Sequence, residues 1–185
     1  MKVSVYIATS LDGFIARADG GIDWLVDAGD PNDPEDYGYA AFMAGVDCLV
    51  MGRNTFEMAM SFPEWPHEGK RVIVLSRALR KVPQQAKGKI EIFASGIEKL
   101  MAKLESEGVR RIYVDGGKTI QSFLKAGLVD DLTLTRIPVL IGSGVPLFGS
   151  LEDDVRLVHV STTVFKSGFV QSIYKPQDSA PATPA

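Results

Sequence analysis

The feature that most constrains this chain is a series of short, β-branched apolar runs, each closed by turn formers and separated by stretches with helical spacing. Residues 3–9, 48–51, 71–75, 90–93, 111–114, 132–137, 156–165 and 169–174 read as strands. The last two flank Lys166-Ser167-Gly168, a hairpin turn in which glycine supplies positive φ. Between the earlier runs lie helical patterns. Asp33-Pro34 offers an N-cap and a first-turn proline, with Tyr37, Ala40, Ala41 and Ala44 on one face and Gly45 as a stop. Ser95-Gly96-Ile97-Glu98 matches a capping box leading to Leu100, Met101 and Leu104, closed by Gly108. Residues 118–125 carry Ile120, Phe123 and Leu124 and stop at Gly127. Strand–helix alternation followed by a terminal hairpin predicts an α/β fold, with a mostly parallel sheet and an antiparallel C-terminal hairpin.

Composition narrows the function classes. The 185 residues are 45% hydrophobic and 23% charged, which suits one globular domain and excludes disordered and collagen-like chains. A net charge of −3 gives no general electropositive face for nucleic acid or an anionic membrane. Cys48, alone, excludes an intramolecular disulfide, and its place inside a strand reads as core rather than nucleophile. His67, in a Pro-His-Glu-Gly turn, reads as a surface residue, and with His159 leaves little for a metal site, so no metal is expected. No apolar run approaches the ~18 residues of a membrane span, and no signal-peptide pattern opens the chain. The expectation is a cytoplasmic protein with one domain over residues 1–175 and a disordered tail over 176–185, PQDSAPATPA.

In such a sheet, ligands bind beyond the carboxyl ends of the strands. Three strand ends carry one kind of signal: Gly52-Arg53-Asn54-Thr55, Ser76-Arg77, and Asp115-Gly116-Gly117-Lys118-Thr119. Glycine lets an anion approach the backbone, hydroxyls donate hydrogen bonds, and the cation neutralises charge. Three such junctions suit a polyphosphorylated ligand with an extra phosphate, such as NADP. Taken singly, a Gly-Gly is also an ordinary turn and an arginine a solvated charge. Neither a Walker A nor a G-x-G-x-x-G motif is present.

The string Met51-Gly52-Arg53-Asn54-Thr55-Phe56-Glu57, with residues 72–77, 114–119 and Phe123-Leu124, resembles dihydrofolate reductase. So does the segment from Ala8 through Ser10, Asp12-Gly13 and Ile15-Ala16 to Asp23-Trp24. Residues 127–132, Pro138-Val139-Leu140-Ile141-Gly142 and Pro146-Leu147-Phe148 resemble the reductase domain of the bifunctional riboflavin-biosynthesis deaminase-reductase, in a stand-alone version. The resemblance covers residues 2–175. It implies a dihydrofolate reductase-like three-layer fold and NADPH as cofactor, with Ala8 and Ile15 near the nicotinamide. Gly52, Arg53, Asn54 and Thr55 would hold the pyrophosphate, and Ser76 and Arg77 the adenosine 2′-phosphate. Gly116, Gly117, Lys118 and Thr119 would form a second phosphate-contacting helix start. In folate reductases the matching glycines include a cis peptide, whose place here is open because Asp115 replaces a glycine. Riboflavin-type reductase domains commonly pair, so a homodimer is expected.

On the substrate side the resemblance places a pocket carboxylate at Asp36, beside Glu35, and a pocket tryptophan at Trp24. Asp36 would be catalytic and both would bind substrate. The alternatives are a first-turn acid favouring the positive end of a helix and a large core aromatic. Asp12-Gly13 reads as a turn. Two departures count against a folate reductase. Lys70 stands where a basic residue would grip the folate tail, and lysine lacks arginine's bidentate fork. The loop over residues 27–35 is acidic. The expected function is an NADPH-dependent reductase of the riboflavin-biosynthesis type, acting on a pyrimidine- or pteridine-like compound. A dihydrofolate or pterin reductase and a non-catalytic NADP-binding module are the alternatives.

Overall fold

The computed structural model describes residues 1–29, 34–83, 86 and 88–177. In chain order the elements are β1 (Lys2–Ser10), β2 (Phe14–Ala16), α1 (Asp23–Val26), α2 (Tyr39–Ala44), β3 (Cys48–Gly52), α3 (Arg53–Ser61), β4 (Arg71–Leu75) and β5 (Lys89–Phe93). They continue with α4 (Ile97–Ser106), β6 (Arg111–Asp115), α5 (Gly117–Lys125), β7 (Asp131–Ile137), β8 (Val145–Pro146), β9 (Leu157–Val164) and β10 (Val170–Pro176). Among the described residues, eight strands form one sheet in the order β5-β4-β3-β6-β1-β7-β10-β9. The first six run parallel, and β10 and β9 add antiparallel at the edge. This is the mixed α/β architecture expected.

The helices divide between the two faces for a topological reason. The connections β1→β3 and β3→β4 run toward the β5 edge and carry α2 and α3 on one face. Those from β5 to β6 and from β6 to β7 run back and carry α4 and α5 on the other. Right-handed crossovers produce this division. Alternation along each buried strand then serves both layers. Val50, Ile112 and Val114 pack with Leu100, Leu104, Ile120 and Phe123. Leu49, Met51 and Tyr113 pack with Phe42 and Phe56. Phe56 and Phe123 are fully buried, and burying a side chain of that size contributes about 1.5–3 kcal/mol.

Several local expectations need correction. The helix before β3 starts at Tyr39, not near Pro34, because Gly38 takes φ 85 just before it; Asp33, the expected N-cap, lies outside the described residues. Its inward face is Tyr39, Phe42 and Met43, whereas Ala40, Ala41 and Ala44 are exposed. Gly96 caps α4 without a side-chain hydrogen bond, so the Ser95 capping box does not form. Strand β10 runs through Pro176, and the Gln177 N–H donates to the Arg156 carbonyl, which carries order past residue 175. Residues 178–185 of the expected tail lie outside the described residues. The short ribbon β2–β8 was not anticipated. No helix among the described residues is long and apolar enough to cross a membrane.

Candidate functional site

A crevice opens where the crossovers reverse direction. Strand β1 pairs with β6 only over Lys2, Val3 and Ser4, yet pairs with β7 as far as Ser10. Beyond Ser4 the ladder between β1 and β6 stops, leaving the Tyr6 carbonyl to accept from the Tyr113 hydroxyl at 2.9 Å, and β6 continues beside β3 to the Met51–Asp115 pair. The chain leaves β3 and β6 toward opposite faces, which is the arrangement that creates a ligand crevice in an open parallel sheet.

Two helix starts interlock at its rim. Gly52 caps α3 and Gly116 caps α5, the latter at φ 87. A Cβ on Gly52 would lie 3.1 Å from the Thr119 hydroxyl, and one on Gly116 would lie 2.1 Å from the Thr55 hydroxyl. Each cap glycine is thus covered by the threonine three residues into the other helix. Neither cap carries a side-chain hydrogen bond, so the first-turn N–H groups remain open to a ligand. Arg53, Asn54 and Lys118 are exposed beside them, and Arg53 reaches Glu57 at 3.3 Å. Ile15 closes over the start of α5, its Cδ1 lying 3.1 Å from where a Gly117 Cβ would be. Ala8, near the end of β1, sits partly buried with Trp24, Ile137 and Phe169. Among the described residues there is no cis peptide, and positive φ at Gly116 alone makes this turn.

The third junction differs from the other two. Among the described residues no helix follows β4: the Ser76 hydroxyl accepts from the N–H groups of Ala78 and Leu79, at 3.2 and 2.9 Å, in a side-chain turn. Arg77 is exposed with no ion pair among the described residues. Interlocked glycines, open N–H groups and exposed Arg53, Arg77 and Lys118 together fit a dinucleotide pyrophosphate with one further phosphate.

On the acceptor side, Asp36 is exposed, and its two oxygens accept from the N–H groups of Gly38 and Ala40, both at 2.9 Å. Those backbone bonds hold its carboxyl below the usual range, and it serves α2 as a cap rather than lining an apolar pocket. Lys70 is equally committed, its ammonium donating to the Met43 and Val46 carbonyls at 2.7 and 2.8 Å. Trp24 is buried beside Ala8 with its indole N–H unpartnered. Asp12 ties its turn to the loop before β8, accepting from Ser10 Oγ at 2.6 Å and from the Gly142 N–H at 2.7 Å. His67 is buried rather than on the surface, edge-on to Trp65 with centroids 5.4 Å apart, and burial pushes its imidazole down to about 4.

Sequence reasoning passed over Asp115 as a substituted glycine. It ends β6 at the crevice, and desolvation lifts its carboxyl to about 6 against the lowering effect of the Gly116 N–H bond at 2.8 Å. Burial and the charge of Asp115 push the Tyr39 phenol up to about 12. A carboxylate closing a buried strand immediately before Gly-Gly was the available signal.

The family described as RibD C-terminal domain matches residues 1–171. The uncharacterized protein YwjB of Bacillus subtilis (strain 168) is 34% identical over 159 residues, covering 84% of this chain and 87% of that protein. A solved structure from Shewanella sp. PV-4, named for riboflavin biosynthesis, superposes with a TM-score of 0.89 at 42% identity, covering 96% of this chain and 99% of its own. The Thermotoga maritima diaminohydroxyphosphoribosylaminopyrimidine deaminase/5-amino-6-(5-phosphoribosylamino)uracil reductase shares the fold. Its TM-score is 0.70 at 17% identity, over 95% of this chain and 56% of that protein.

Proposed function

This chain belongs to the RibD C-terminal domain family, a family of reductases, and on that premise we propose that it is an NADPH-dependent oxidoreductase of the riboflavin-biosynthesis type, acting on a pyrimidine- or pteridine-like compound. The observation that carries the reading is the pair of interlocked helix starts at the crevice between β3, β6 and β1. Gly52, Arg53, Asn54 and Thr55 hold the pyrophosphate with Gly116, Gly117, Lys118 and Thr119, while Ser76 and Arg77 take the 2′-phosphate. Ala8 and Ile15 border the nicotinamide. When bound, NADPH supplies a hydride to a carbonyl or imine carbon of the acceptor. Asp115, with a carboxyl lifted to about 6, holds a proton in part of the population near neutrality and delivers it to the acceptor's oxygen or nitrogen. Ile15, Tyr39 and Trp24 keep water from the reacting atoms. The fold's main contribution is orientation of donor and acceptor.

The folate-type alternative is less well supported, since Asp36 accepts from the backbone at Gly38 and Ala40 and Lys70 donates to the Met43 and Val46 carbonyls. Asp115 favours catalysis over a non-catalytic NADP-binding module. We also propose a homodimer, supported by the exposed apolar side chains of β9.

Fluorescence titration with NADPH and NADH tests the cofactor assignment. NADPH binds tighter, and Arg77→Ala removes about 1.5–3 kcal/mol of that preference, roughly ten- to a hundredfold in affinity. Equal affinities in the unmodified protein would refute it. In a parallel NADPH-oxidation assay, a ribosylaminouracil acceptor outpaces dihydrofolate; the reverse order would restore the folate reading.

A further inference from the structure

We propose that Gln171 selects the acceptor: its side-chain oxygen accepts a hydrogen bond from a ring N–H of a planar nitrogen heterocycle. This deepens the reductase reading and rests on it. The residue stands on β10, outside every cofactor junction.

The sheet register places it. Ala8 pairs with Thr135 across β1 and β7, and Thr135 pairs with Gln171 across β7 and β10. The three form one row, and directly opposite residues in a sheet share a face. Two strand spacings, about 10 Å, separate Ala8 from Gln171. That is room for a reacting carbon against the nicotinamide at Ala8 and one ring beyond it. Gln171 shares this face with Tyr6, to whose hydroxyl it donates at 3.0 Å. The Tyr6 ring lies 5.6 Å from that of Tyr39, and Tyr39 feels the charge of Asp115. The residues assigned to hydride and proton transfer therefore border the same surface as Gln171.

The amide is gripped by its nitrogen alone. Besides Tyr6, Nε2 donates toward the Tyr37 carbonyl at 3.1 Å and Thr135 Oγ1 at 3.0 Å. A carbonyl only accepts, so the nitrogen must face Tyr37 and Oε1 must point away. The Tyr6 hydroxyl gives its proton to the same carbonyl at 2.6 Å, which leaves it an acceptor toward Gln171. The carbonyl is held there by a strained backbone. Tyr37 takes φ 57, the one positive value at a non-glycine among the described residues. Such strain persists only where packing over-determines it, here through the Phe165 and Phe169 rings, 4.9 and 5.0 Å from that of Tyr37. Oε1 makes no hydrogen bond among the described residues. Gln171 is half-buried, and Oε1 is not one of the buried polar atoms left without a partner, so it is open to a ligand. An amide oxygen is matched only by a donor. Because the grip on Nε2 fixes the amide plane, a donor held in a rigid ring suits it better than a rotating hydroxyl.

The test uses the full chain saturated with NADPH and two acceptors. One is 5-amino-6-(5-phosphoribosylamino)uracil; the other is its 1,3-dimethyl analogue, which keeps both carbonyls and lacks both ring N–H groups. Binding is followed by tryptophan fluorescence, with NADPH oxidation in parallel. The unmodified protein is expected to bind the parent compound at least about tenfold tighter. Gln171→Leu, or Gln171→Met should the first fail to fold, is expected to cut that preference at least about fivefold while NADPH affinity holds. A purely structural Gln171 would weaken both compounds alike and leave their ratio unchanged. An unchanged ratio in the variant, or equal binding of the two compounds by the unmodified protein, would overturn the inference and leave the reductase reading intact. Binding of neither compound while NADPH still binds also overturns it. Failure of NADPH itself to bind would instead overturn the underlying reading.

Discussion

Thr55 and Gly116 act as one unit although they stand on different helices. An alanine at Gly116 must adopt φ near 87 and place its Cβ 2.1 Å from the Thr55 hydroxyl. The backbone alone costs on the order of 1–3 kcal/mol, and the contact adds to it. Gly116→Ala is therefore expected to lower the urea midpoint and abolish NADPH binding. Adding Thr55→Ala removes the contact but not the strain, so the double variant recovers at least about 0.5 kcal/mol relative to additivity. Strict additivity in a double-mutant cycle would show that the two do not touch. Both glycines were legible in the sequence as strand-end punctuation. Their threonine partners were not, because the contact is set by two strands meeting in the sheet, which local spacing does not encode. Asp36 shows the converse ambiguity. A carboxylate before a helix looks the same whether it faces a pocket or the helix's own N–H groups, and here Gly38 and Ala40 claim it.

The inner strands of the large sheet were readable as elements because strands buried on both faces are continuous apolar runs, and the edge strands β5 and β9 were readable from their β-branched residues. The helix α2 was readable as an element and ends at Gly45 as expected, but its start and inward face were not legible. It has six residues, too few to stand on propensity, and its register is set by Phe42 docking between Tyr6 and Tyr113, with ring centroids 4.8 and 5.2 Å away. The alanine face chosen by periodicity points to water. The ribbon β2–β8 pairs strands of three and two residues, too short to leave any periodicity. Strand β9 raises a different question, since all eight of its residues are exposed. Leu157, Val158, Val160 and Val164 are 41–70% accessible, a profile an edge strand keeps only when something covers it. The proposed homodimer uses this strand. Sedimentation at micromolar concentration is expected to give twice the 20.1 kDa chain mass, and Leu157→Lys with Val160→Lys to give the single chain. A 20 kDa species in the unmodified protein would refute the pairing.

For the molecule as a whole, buried His67 and half-buried Asp115 tilt stability against pH in opposite directions. His67 is pushed down to about 4. Its contribution is complete above the ordinary histidine value near 6.5 and is lost as pH falls from there toward 4. Asp115 is raised to about 6 from 3.8. Its burial destabilises the fold above pH 6, and protonation relieves that as pH falls through the same window. Asp12, Asp23, Asp36 and Asp47 are held low and titrate below it. Near pH 5 the unfolded chain gains a proton at His67 while the folded one gains a proton at Asp115, and the slopes cancel. Urea denaturation of the unmodified protein is expected to change little between pH 6.5 and 4.5. Asp115→Asn should lose on the order of 1–2 kcal/mol over that range. A variant whose curve stays parallel to the unmodified protein's would show that the Asp115 carboxyl is not raised in the folded state.

The strand order also fixes a timetable. Strand β1 is synthesised first, yet both of its neighbours, β6 and β7, begin only at Arg111 and Asp131. At about 5–20 residues per second, translation takes roughly 6–25 s to travel from the end of β1 to the start of β7. Until β6 appears the nascent chain holds Val3, Val5 and Ile7 in a segment with neither edge paired, the β7 edge stays open for the whole interval, and this interior strand is the piece that must wait longest for the ribosome.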